Sequence, residues 1–196
     1  MMGRLAALAI VCMLAALAAG CASSPSRFYT LSATATPSAA SSKLSLAVGP
    51  VSVPAAVDRP QIVVSTSANQ VTLDDFNRWA SPLQDNLARV VAENLVALLG
   101  TPGVTLFPQA LNANVDYRVQ IEIRNFESAP GKSASLDAVW TVRRTKDGKT
   151  ETGRTSAREK VDDNSYDALA AAHSRGVARL SQDIADAVRT LDGAAP

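Results

Sequence analysis

Histidine occurs once in the 196 residues, cysteine twice, and aromatic side chains make up only 5 %. His173 is the lone imidazole and Cys12 falls in an amino-terminal apolar segment, so Cys21 is the one thiol in the remaining chain. That donor set excludes a zinc or copper centre, and no metal or other cofactor is expected. An excess of either charge is missing as well: 19 Lys and Arg stand against 18 Asp and Glu. Arg4 is the only charged residue of the first twenty, so the rest of the chain is balanced and lacks the electrostatic excess that holds nucleic-acid phosphates. The sequence also lacks a Gly-rich phosphate loop and a G-x-S-x-G elbow. Its paired carboxylates, Asp74-Asp75 and Asp162-Asp163, are adjacent in sequence beside structural boundaries, where they read as turn or helix-entry residues. No catalytic residue is assigned, and the chain is read as a non-enzyme.

What is present begins with MMGRLAALAIVCMLAALAAGCASS, in which Arg4 precedes an apolar run from Leu5 to Ala19 that ends in small residues. This is the anatomy of a secretory leader, and the run is short of the about twenty residues a bilayer span needs. Ala18-Ala19-Gly20-Cys21 resembles the bacterial lipobox, with Ala18 where that pattern usually has Leu. Cleavage before Cys21 and acylation of its thiol are expected. An exported protein with one unpaired cysteine would otherwise carry a reactive thiol in an oxidising compartment. Ala22 follows the cysteine instead of the Asp that often retains lipoproteins in the inner membrane, so the expected location is the outer membrane, facing the periplasm.

The expected division is a leader over 1–20, a lipidated terminus and flexible tether over 21–42, and a folded domain over 43–193. Ala22 to Ser42 is mostly Ala, Ser, Thr and Pro, with Arg27 to Leu31 as an apolar island read as a docking strand. Leu44 to Val53 predicts a strand with a bulge or edge at Gly49-Pro50. Pro54 to Pro60 predicts a turn region, and Gln61 to Thr66 with Val71 to Leu73 a hairpin through Ser67 to Gln70.

The best-punctuated element is a helix over Pro82 to Leu99. Ser81 and Gln84 are spaced as a capping box, Pro82 suits the first helical position, and Gly100 with Pro102 ends the run. Leu83, Leu87, Val90, Val91, Leu95, Leu98 and Leu99 form its core face, with Asp85, Asn86, Arg89, Glu93 and Asn94 over much of the rest. Trp79, just ahead, is expected to cover the helix entrance.

In the second half, Val104 to Phe107 is a short strand candidate, and Asp116 to Phe126 and Ser133 to Thr145 alternate cleanly, giving one buried and one wet face. Asp147-Gly148 turns into a polar strand over Thr150 to Lys160. Asn164 or Ser165 caps a last helix whose stripe of Tyr166, Leu169, Ala170, Val177, Leu180, Ile184, Val188 and Leu191 packs on the domain's own sheet. His173, on or beside that stripe, is read as a hydrogen-bonded packing residue. The expected fold is α+β: a single domain with an antiparallel β-sheet and two long α-helices packed on one face.

The series Arg27-Phe28-Tyr29-Thr30-Leu31, Asp58-Arg59-Pro60-Gln61-Ile62-Val63 and Asn77-Arg78-Trp79-Ala80-Ser81-Pro82-Leu83 resembles the PqiC family of ABC-type transport auxiliary lipoproteins. The resemblance runs through the whole mature chain, and it rests on the combination, since each motif alone is weak. It implies an accessory of an intermembrane lipid transport system built around a mammalian-cell-entry (MCE) domain protein and its ABC transporter, which supports envelope integrity. With no ATP-binding motif in this chain, the energy source would belong to other subunits. Because the family's partners form rings, it also implies a ring-shaped homo-oligomer. The alternative is a structural or assembly-assisting envelope lipoprotein with no role in lipid passage.

Arg59, Arg78 and Trp79 are the candidate partner or oligomer interface, as two planar cations near an aromatic ring. The competing structural readings are that Arg78 binds carbonyls of a neighbouring loop, that Arg59 pairs with Asp58 or Asp75, and that Trp79 anchors the packing.

Overall fold

Alternation of apolar and polar residues builds the centre of the molecule. In the computed structural model, which describes residues 25–39, 41–109 and 114–193 together with Gly3, Tyr117, Val119, Ile121 and Ile123 are all buried while Gln120, Glu122 and Arg124 face water. The leader apart from Gly3, and Cys21, lie outside the described residues. The strands are β1 (Arg27–Tyr29), β2 (Ser45–Ser52), β3 (Gln61–Ser67), β4 (Gln70–Trp79), β5 (Gly103–Leu106), β6 (Tyr117–Ala129), β7 (Ser133–Arg144) and β8 (Thr150–Lys160). The two long helices are α1 (Leu83–Leu99) and α2 (Tyr166–Asp192).

The α+β reading with both helices on one face holds, but the strands divide into a five-stranded sheet, β5-β2-β6-β7-β8, and a three-stranded sheet, β1-β4-β3. Strands β6, β7 and β8 are antiparallel, whereas β2 runs parallel to both β5 and β6, so the large sheet is mixed. Gly49-Pro50 marks the expected bulge, where the β2–β6 register shifts between Val48 and Val51. A Cβ on Gly49, whose φ is +112°, would sit 2.8 Å from Phe107 Cβ, so both backbone angle and space call for glycine there.

Helix α1 ends as its sequence demands: Gly100 adopts the left-handed conformation at φ 60° and donates its N–H to Val96 O. Its start differs from the expected capping box. Pro82 is itself the cap residue, with an extended ψ of 135°, and no side chain caps the helix. The helix proper opens at Leu83, which leaves Ser81 one residue too far out for its hydroxyl to serve. Helix α2 is capped by Ser165, whose side chain accepts from Ala168 N at 3.1 Å.

The segment expected to be a tether becomes part of the body from Arg27 onward. Strand β1 pairs parallel with Asn77 to Trp79 of β4. Leu31 is buried beyond it, and the chain then runs as a strap between the helices. Asn86 Oδ1 accepts from Leu31 N at 3.3 Å, Asn94 Oδ1 accepts from Thr34 N and Ala35 N at 3.1 and 3.0 Å, and Ser174 Oγ accepts from Ser32 N at 3.0 Å. Further along, Ser38 N donates to Ala97 O at 2.8 Å and Ser42 N to Gly100 O at 2.9 Å. Asn86 and Asn94 are therefore buried and not on a wet face, because strap backbone with no strand partner needs acceptors from a side chain. Asn94 also donates to Ser181 Oγ at 3.2 Å, tying the strap and both helices at one point. The Asn94→Leu variant is expected to lose about 1–3 kcal/mol. Its Thr34 and Ala35 amides should exchange with deuterium faster than those of β6, and unchanged protection there would refute the role assigned to Asn94.

Candidate functional site

The Arg59 turn and the end of β4 are locked together by backbone. Val57 N and Asp58 N both donate to Pro54 O, at 3.0 and 3.2 Å, and Trp79 N donates to Pro60 O at 2.8 Å. From the other side Ala80 N donates to Tyr29 O at 2.8 Å. Between them lies a hollow of about 390 Å³ lined by Asp58, Arg59, Pro60 and Trp79 to Pro82. Arg59 and Trp79 thus share one site, and Arg78 does not line it. The Arg59 Nε is buried without a hydrogen-bond partner, and no ion pair joins this side chain to Asp58 or Asp75. Arg78 instead donates from Nε to Asp75 O at 2.7 Å, the loop-carbonyl contact that its structural reading calls for.

Trp79 is only 5 % exposed, so its indole is a packing anchor whose edge reaches the hollow. Phe126 meets it edge-on with centroids 6.2 Å apart, and His173 does so at 6.5 Å. The imidazole lies flat on Phe126, 3.8 Å away and 9° from parallel. His173 Nε2 and Ser128 Oγ are 2.8 Å apart, and Nδ1 has no partner. Complete burial pushes the imidazole pKa down to about 3, so the ring is neutral across the ordinary pH range. This is the hydrogen-bonded packing histidine that its place on the α2 stripe suggests.

Asp74 and Asp75 lie inside β4, where the β3–β4 register shifts between Gln61 and Ile62, and not at the turn or helix entry expected of them. Asp74 Oδ1 accepts from Phe76 N and Asn77 N at 2.9 and 3.1 Å, while Oδ2 accepts from Asn77 Nδ2 at 2.8 Å and Tyr166 Oη at 2.9 Å. Partial burial works against the Asp74 charge, yet Asn77, Phe76 and Tyr166 together hold its pKa below the usual carboxylate range. Burial, and then the Asp74 carboxylate, push the Tyr166 hydroxyl up to about 12. The pair fastens the first turn of α2 to β4. Among the described residues no three His, Cys, Asp or Glu side chains converge as a metal set, and no helix is long and apolar enough to cross a membrane.

Sequence reasoning missed a second surface. In the small sheet the pairs Arg78 with Phe28, Gln61 with Arg78, Val63 with Leu73, and Ser65 with Val71 all lie on the face opposite Ile62 and Trp79. Phe28, Val71 and Leu73 are exposed there, and Phe76 is exposed in the irregular stretch between Asp74 and Arg78. The available signal was the odd-numbered run Val71 and Leu73, since a hairpin with apolar residues on both faces leaves one of them uncovered.

A family model described as "ABC-type transport auxiliary lipoprotein component" matches residues 29–185. A crystal structure of an uncharacterized protein is 22 % identical, with a TM-score of 0.68 over 84 % of this chain and 99 % of its own. The crystal structure of a Xanthomonas campestris protein assigned to DUF330 is 18 % identical, with a TM-score of 0.69 over 86 % and 98 %. These likenesses concern the fold. A comparison with curated proteins finds no match.

Proposed function

The chain belongs to the family of ABC-type transport auxiliary lipoprotein components, and from that membership we propose that it is a non-catalytic accessory of an intermembrane lipid transport system. In this reading Cys21 carries the acyl anchor, the protein sits on the periplasmic side of the outer membrane, and its partner is an MCE-domain protein served by an ABC transporter. The observation that carries the reading is the family match, which runs from Tyr29 at the end of β1 to Ala185 in α2 and begins eight residues after Cys21 of the lipobox-like Ala18-Ala19-Gly20-Cys21. A rigid body beside an acyl anchor can hold one end of a partner at the membrane without chemistry of its own. The hollow offers the Arg59 cation, which has no ion pair among the described residues, and a partner carboxylate would complement its charge. Trp79 lends the edge of its indole to that hollow, whereas Arg78, on the opposite face of the small sheet, stands outside this interface.

Membrane fractionation tests the anchor. The native chain should band with the outer membrane, and the Cys21→Ala variant should not. Banding with the inner membrane, or equal behaviour of the two, would refute the proposed location. Light scattering on the same purified lipoprotein tests the homo-oligomer: a multiple of the subunit mass is expected, and a monomer at micromolar concentration would remove the ring from the proposal.

A further inference from the structure

Cys21 is six residues ahead of Arg27, where β1 enters the small sheet. At about 3.3–3.6 Å per residue an extended chain of that length spans at most about 22 Å. The strap beyond β1 is fastened to both helices, so no later part of the chain can lengthen this connection without unpairing β1. An acylated Cys21 therefore keeps the edge of the small sheet within that distance of the bilayer.

The surface that this restraint brings to the membrane is the uncovered apolar one. Phe28 is 64 % exposed, Val71 59 %, Phe76 46 % and Leu73 43 %. Phe28 stands on the strand that leads from the anchor, and Val71 and Leu73 share its face of the sheet. Cations border the apolar side chains. Arg78, paired directly beside Phe28 and on its face, uses only its Nε within the protein, and Arg27, exposed with no ion pair among the described residues, precedes Phe28 on the side of the anchor. The nearby carboxylates are already engaged, Asp74 by Asn77 and Tyr166 and Asp75 by Gln61. Exposed apolar side chains beside a guanidinium with terminal nitrogens to spare suit the boundary between acyl chains and phosphate headgroups.

We propose that the outward face of the β1-β4-β3 sheet, formed by Phe28, Val71 and Leu73 with Arg78 beside Phe28, rests on the lipid bilayer beside the acyl anchor. The inference rests on the proposed lipidation of Cys21. It fixes the orientation of the body in one respect: the outward face of the small sheet is the membrane side.

The test uses the full-length lipoprotein purified from membranes, as the Phe28→Trp variant and, for control, the Thr152→Trp variant on the exposed face of the large sheet. Each is reconstituted into vesicles of phosphatidylethanolamine with a quarter phosphatidylglycerol, made with plain or dibrominated acyl chains. Mass spectrometry of the amino-terminal peptide reports acylation independently. Bromine should reduce the added emission of Phe28→Trp about twofold and leave Thr152→Trp unchanged. An acylated protein whose Phe28→Trp emission ignores bromine would overturn the membrane face and leave the anchor intact. If that unquenched position also crosslinks to a second copy, the face is an oligomer contact. An unacylated Cys21 would overturn the anchor and this inference together.

Discussion

Replacing Trp79 by Ala is expected to cost about 3–5 kcal/mol of stability. The indole is buried at the junction of three parts of the fold: it ends β4 of the small sheet, stands edge-on to Phe126 of β6 and edge-on to His173 of α2. Alanine would leave a cavity that cannot close by local movement, because the backbone on both sides is fixed by the bonds from Trp79 N to Pro60 O and from Ala80 N to Tyr29 O. Urea unfolding should show the loss as a lower midpoint with little change in slope. Trp79→Phe keeps an aromatic partner for Phe126 and should lose less. A loss below about 1 kcal/mol for the alanine variant would mean that the indole contributes mainly to a partner surface and not to the core.

Acidification from pH 6.5 should destabilise the protein by about 1.4 kcal/mol per pH unit through His173 alone. The direction follows from proton uptake. The folded imidazole, buried among Phe126, Trp79 and Ser128, has its pKa pushed down to about 3, whereas in the unfolded chain it returns to 6.5. Between those values only the unfolded chain binds the proton, so the contribution is complete above pH 6.5 and is lost progressively as the pH falls toward 3. The carboxylates held below their ordinary range, Asp74, Asp116, Asp137, Asp147 and Asp163, add their own losses only below about pH 4. The interval from pH 6.5 to about 4.5 therefore isolates the histidine. His173→Gln keeps a polar partner for Ser128 and cannot titrate, so its stability should be flat over that interval. Equal slopes for the native chain and the variant would contradict the neutral buried imidazole.

The parts of the fold that could be read from the chain are those specified by neighbours in sequence. Alternation over Tyr117 to Phe126 and over Ser133 to Arg144, the Asp147-Gly148 turn, the Ser165 cap and the Gly100 stop all describe local backbone, and each stands as expected. Pairing partners are not local. Nothing in Leu46-Ala47-Val48 says that β2 runs parallel to β5 and β6, since a strand buried in either sense has the same pattern. Asn86 and Asn94 read as the wet side of α1 because the strap that covers them comes from residues about sixty positions earlier. For the candidate site, the sequence picked out residues that do lie close together, but Trp79 faces the core and Arg78 the opposite side of the sheet. Which face of a three-residue strand looks outward depends on its register with β4, and that register is absent from the residues themselves.

The most direct measurement is in-cell crosslinking of the native lipoprotein, followed by purification through a carboxyl-terminal tag and mass spectrometry of the proteins recovered with it. The transport reading predicts recovery of an MCE-domain protein, with crosslinks on the exposed side of the Arg59 hollow. Recovery of outer-membrane assembly factors or peptidoglycan, without any MCE-domain protein, would contradict it and leave a structural envelope lipoprotein.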